Sequence, residues 1–81
     1  EDQKNPYVWD PKIPFIRMED GALLMTACVF KDYGHTPEDH IYLGENVRSA
    51  AIMGTSAQGG TLRIDNRSKG EVNVIGCGEW K

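Results

Sequence analysis

Residues 14–30 read "PFIRMEDGALLMTACVF", two apolar-rich extended segments on either side of Asp20-Gly21. An Asp-Gly pair between such segments is a strong signal for a two-residue hairpin, because both central positions take φ > 0. The stretch therefore predicts strands over 15–19 and 22–31, folded back on one another.

Working outward, "DYGHTPED" at 32–39 follows, punctuated by Gly34 and Pro37. A strand is predicted at 39–43 ("DHIYL"), then a turn at Gly44-Glu45-Asn46 and a strand at 47–53 ("VRSAAIM"). Segment 44–53 is the one candidate for a helix, but it lacks an N-cap and has a weak apolar face, so strand is preferred. The glycine-rich "GTSAQGG" at 54–60 matches no phosphate-binding pattern and reads as a flexible loop. "TLRID" at 61–65 alternates apolar and polar, "NRSKG" turns the chain, and "EVNVIGC" at 71–77 is the last strand. No internal repeat is evident. Six short strands with turn signals between them predict an all-β chain, a sandwich or a small barrel.

The chain has 81 residues, which makes one domain. A domain of this size buries only about 60% of its unfolded surface, so a covalent or other staple is expected. Cys28 and Cys77 leave two readings, a pair of buried thiols in a cytosolic protein or one disulfide in a secreted protein. The even count in a small chain favours the disulfide, worth roughly 4 kcal/mol on the chain-entropy model. Residues 1–14 hold Pro6, Pro11 and Pro14 and read as an extended arm, with Tyr7, Val8 and Trp9 able to pin it to the 15–81 domain.

Net charge is −3 and no two basic residues are adjacent, which argues against nucleic acid as a partner. No apolar run reaches the roughly 18 residues that a membrane span needs. Asp32, His35, Glu38, Asp39 and His40 are residue types that ligate metals. Their spacing across a proline does not suit a helical site, and a solvated turn explains the residue types. No nucleophile elbow is present, so no enzyme activity and no cofactor are expected. "NRS" at 66–68 fits the N-glycosylation acceptor pattern. Tyr33, Tyr42, Trp80 and Trp9 are the amphipathic rings suited to core filling or to an interface. Ile41 and Leu43 share one face of their strand and His40 and Tyr42 the other, the pattern of an edge strand that pairs with an incoming strand.

At "CVFKDYGHTP", 28–37, the chain resembles the MAX effectors, small secreted β-sandwich proteins of plant-pathogenic fungi. Cys28, Val29 and Phe30 resemble the start of their first core strand. Asp32, Gly34, His35 and Pro37 resemble a turn that follows it. The resemblance spans about residues 22–77. It implies six strands in two antiparallel sheets tied by one disulfide, secretion, a monomer, and binding of host proteins, among them small metal-binding-like domains. Ile41, Tyr42 and Leu43 would then form the protein contact. Departures are the position of Cys77 at a strand end and the hairpin ahead of Cys28. A second resemblance, of 38–52 and 61–76 to a βγ-crystallin unit, implies a calcium loop at Asn46, Val47, Arg48 and Ser49. Glu45 and Ala50 depart from its pattern, and the loop supplies few of the six to eight oxygens that calcium takes.

Overall fold

The computed structural model describes residues 10–31, 37–58 and 60–81. Among these the regular structure is all β: β1 (Ile16–Thr26), β2 (Val29–Phe30), β3 (Ile41–Met53), β4 (Ser56–Ala57), β5 (Ile64–Asn66) and β6 (Glu71–Ile75). Every pairing between these strands is parallel. β3 lies between β1 on one side and β5 and β6 on the other, while β2 pairs with β4 in a separate two-stranded sheet.

The register shows how the chain is wound. Ile16 pairs with Ile41, and Ile41 with Ile64. Leu23 pairs with Ala50, and Ala50 with Val72. Each circuit of 22–27 residues returns the chain to the same place one strand spacing further along. The architecture is a short parallel β-solenoid, in which each rung covers the one before it.

Side chains that point inward form columns through successive rungs: Ile16–Ile41–Ile64, Leu23–Ala50–Val72 and Met25–Ile52–Val74. The middle rung carries the best-buried core, with Ile41, Leu43 and Ile52 at 0% exposure; Leu62, on the rung above, is equally sealed and lies under the bridge to Trp80. Each such side chain contributes about 1.5–3 kcal/mol by burial. The aromatic rings of Phe15, Phe30 and His40 pack together at centroid distances of 5.4–5.9 Å and fill the interior beside β2.

One corner repeats in all three circuits. Ala27 (φ 52), Gly54 (φ 63) and Gly76 (φ 65) take the left-handed conformation just after β1, β3 and β6. Ala27 N–H donates to the Met53 carbonyl and Gly54 N–H to that of Ile75, so the corners are stitched one above the next. The stretches "LMTAC" (24–28), "AIMGT" (51–55) and "NVIGC" (73–77) are therefore one repeated unit.

Several expectations are corrected. The Asp20-Gly21 hairpin does not form, and β1 runs through it as one strand. Gly21 does take a positive φ of 87°, but it uses it beside a register shift between β1 and β3. The antiparallel sandwich implied by the MAX-effector resemblance gives way to parallel rungs. The predicted turn at 44–46 and the calcium loop at 46–49 both lie within β3. The 54–60 loop contains the corner at Gly54 and strand β4.

The disulfide is absent: Cys28 and Cys77 are free thiols. Extending the corner register puts Cys28, Thr55 and Cys77 in one column, with Thr55 on the rung between the sulfurs. Two rungs separate the cysteines by roughly 9–10 Å. A disulfide needs Cα atoms about 4.4–6.8 Å apart. Tyr7, Val8, Trp9, Asp32, Tyr33, Gly34 and His35 lie outside the described residues.

Candidate protein-interaction site

Of the three residues predicted to form the contact, the structure turns two inward. Ile41 and Leu43 are fully buried, and their strand is paired on both sides, with Ile16 and Met18 below and Ile64 and Asn66 above. The segment therefore offers no free edge. Tyr42 alone faces out, half-buried.

Tyr42 is the centre of a polar cluster assembled by the register, with Arg17 on the rung below and Asp65 on the rung above. The Arg17 guanidinium lies 4.5 Å from the Tyr42 ring centroid and that of Arg67 lies 6.0 Å away. Each arginine also has an acid two residues away in the sequence, Glu19 for Arg17 and Asp65 for Arg67. Arg17 Nε donates to Glu19 Oε2, and Arg67 Nε donates to Asp65 Oδ1 at 3.2 Å. The hydrogen bond to Glu19 and its charge hold Arg17 above the usual guanidinium range, and Asp65 does the same for Arg67. A shallow cavity of about 140 Å³ opens beside the ring, lined by Lys12, Pro14, Arg17, Asp39, Tyr42 and Asp65.

Around the bend of β3 the outer face is flatter and more apolar. Ala22, Ser49 and Glu71 form one outward column, and Leu24, Ala51 and Asn73 the next. The small residues at 22, 49 and 51 leave a broad open trough of about 350 Å³. Leu24 and Ile75 stand beside it at 70% and 59% exposure.

The third surface is the rim formed by β5 and β6. Among the described residues β6 has no strand partner beyond β3, whereas the start of β5 is covered by the C-terminal tail, where Ile64 N–H donates to the Lys81 carbonyl. The Ile75 carbonyl accepts from Gly54 N–H, just after β3. Because N–H and C=O directions alternate along a strand, those of Val72 and Val74 point away from β3, toward the open rim. The inward-facing Ile64, Val72 and Val74 are only half-buried there, whereas Ile41, Ala50 and Ile52 beneath them are buried.

The histidine loop resolves differently. His40 lies in the core at 1% exposure, packed against Phe15 and Phe30, and its Nδ1 accepts from the Arg63 N–H at 3.1 Å. Arg63 also donates to the carbonyls of Glu38, Pro37 and Thr61, clamping one rung onto the next. Among the described residues no group of three His, Cys, Asp or Glu side chains is placed to hold a metal ion. Trp80 is exposed at 47% and bridges to Leu62 on the rung below.

Sequence reasoning missed Arg17, Asp65, Arg67 and the β5–β6 rim. A signal for the first three is present: Arg17/Glu19 and Asp65/Arg67 are opposite charges two apart, which puts both members of each pair on one face of a strand. The class defined by these features is a parallel β-solenoid with exposed strand edges. No family model matches the chain, and comparison with curated proteins and with solved structures finds no match.

Proposed function

We propose that this chain is a non-catalytic binding protein that engages a protein partner through an exposed strand edge. The observation that carries the reading is the β5–β6 rim. It combines outward-pointing backbone groups at Val72 and Val74 with inward side chains that a further strand would cover. Strand addition supplies main-chain hydrogen bonds for affinity, and alternate side chains supply specificity. The Tyr42 cluster and the trough beside Leu24 flank the rungs and provide side-chain contacts. An extracellular setting accords with Asn66, which stands exposed at the N-x-S acceptor with its Oδ1 accepting from Ser68 N–H.

The test is capture of partners from a host extract on the immobilised chain, followed by hydrogen exchange of the complex. Exchange at the Val72 and Val74 amides is expected to slow when partner is bound, while that of Ala50 and Ile52 stays as it was. A captured partner that leaves the β5–β6 amides unprotected would overturn the reading.

A further inference from the structure

We infer that the partner at the β5–β6 rim is a second copy of this chain, docked head to tail with its β1 lying on β5 and β6. The inference rests on the reading of that rim as a strand-addition edge.

Charge and shape carry the argument. The β1 end of the molecule is the other open end, since among the described residues β1 pairs only with β3. Continuing the solenoid's own register by one rung sets Ile16 of the next copy over Ile64, Leu23 over Val72 and Met25 over Val74, joining apolar columns of matching type. The same register sets Arg17 over Asp65. Arg67 N–H donates to the Leu43 carbonyl, which extends the register so that Glu19 falls over Arg67. A +/− pair at one end thus meets a −/+ pair at the other, and a slip of one residue loses this match. Backbone phase agrees as well. Ala27 N–H points toward β3 and bonds Met53, so by alternation Thr26 and Leu24 point out of the molecule, where Val74 offers its own groups.

Two features oppose the joint and make it conditional. The Lys81 carbonyl accepts from Ile64 N–H, and Lys81 N–H donates to the Leu62 carbonyl, so Glu79–Lys81 fill the place that residues 13–15 of the next copy would take. The tail must yield for the joint to close, which makes it a self-cap. Asn66, in the column of Met18 and Leu43, would bring a polar side chain against Met18 of the next copy.

The joint also brings together two thiols that the single chain keeps apart. Cys77 of one copy and Cys28 of the next lie on adjacent rungs, about 4.8 Å apart, within the range for a disulfide. With oxidised glutathione as the oxidant, the two thiols give up two protons and two electrons. One S–S bond forms between the copies, the glutathione S–S bond breaks, and two glutathione thiols leave.

The experiment is sedimentation of the full chain across a concentration series, together with peptide mapping after treatment with oxidised glutathione. Concentration-dependent oligomers and a 28–77 cross-linked peptide from separate copies are expected. Asp65→Arg should weaken association by about tenfold or more, since it places like charges together. Adding Arg17→Asp should restore it, because two positive charges then face two negative ones. Asn66→Leu should tighten the joint. A chain that stays monomeric as both wild type and Asn66→Leu overturns the inference, as do cross-links confined to 28–28 or 77–77. If the stack fails while a captured partner still protects Val72 and Val74, the strand-addition reading stands and only the identity of the occupant falls.

Discussion

Ile52 and Val74 occupy one inward column on neighbouring rungs, pair directly across the sheet and share the same backbone direction. Yet Ile52 is sealed at 0% exposure and Val74 is half-buried. The difference is positional. The middle rung has a rung on either side, and an end rung has one. In a solenoid each unit is stabilised by its neighbours, so the ends hold unsatisfied backbone and partly wetted apolar columns. Stability and binding capacity are thus segregated along the axis, with the middle rung holding the fold and the end rungs left to recognise something.

The sharpest way to break that comparison is to truncate the same column at both levels. Ile52→Ala is expected to cost about 2–5 kcal/mol, the range for large-to-small changes in a closed core. Val74→Ala should cost less than half as much, since solvent already reaches that side chain. Urea unfolding of the two variants measures both. Equal losses would mean that the rim is covered in solution by a segment or a copy, which would favour an occupied edge over an open one.

A second test concerns the column between the two thiols. Thr55 is fully buried, and among the described residues its Oγ1 has no hydrogen-bond partner. Leaving a buried hydroxyl unpaired costs about 1–3 kcal/mol. Thr55→Val keeps the shape and removes the hydroxyl, so the melting temperature should rise. A fall would reveal a partner for the hydroxyl, such as an enclosed water.

These contrasts also show how much could be read from the chain. Strand content was legible because β-rich alternation is local: "EVNVIGC" announces β6, "TLRID" runs into β5 at Ile64 and Asp65, and the segments at 39–53 lie almost wholly within β3. Strand direction was not legible, since the alternation that places Ile41 and Leu43 inward is the same in a parallel or an antiparallel sheet. Gly21 takes the positive φ that the hairpin reading gives to both central residues and Asp20 does not; a positive φ serves a strand irregularity as well as a hairpin. The winding was hidden by its uneven period. The unit at 24–28 recurs after 27 residues and then after 22, and its corner residue changes from Ala27 to Gly54 and Gly76. The candidate site suffered most. Whether 41–43 is an edge or a centre depends on which rungs lie beside it, and no local pattern states that.

The repeated corner offers a smaller effect with opposite signs at its two kinds of residue. Gly54 has φ +63, where an L side chain costs roughly 1–2 kcal/mol, so Gly54→Ala should destabilise by about that amount. Ala27 already bears that strain at φ 52, so Ala27→Gly should be neutral or slightly stabilising, the relief being offset in part by glycine's larger unfolded-state entropy. Thermal melts of the two variants check the pair. Equal losses at both positions would show that contacts at the corner, and not backbone strain, set its energy.

The smallest effect is expected on the outer face, at Tyr42. The ring lies against Arg17, and its contacts with the two guanidiniums come from its face, while no hydrogen bond involves its hydroxyl among those described. Tyr42→Phe should therefore leave the unfolding midpoint where it is. Tyr42→Leu, which keeps apolar bulk but removes the π-face, should lower it slightly. The gap should narrow at high salt, where charge interactions at an exposed site are screened over roughly 3 Å at 1 M. If Phe and Leu prove equal at low salt, the ring contributes only the area it covers. The Arg17–Tyr42–Asp65 column would then matter for what it presents to a partner and not for holding the rungs together.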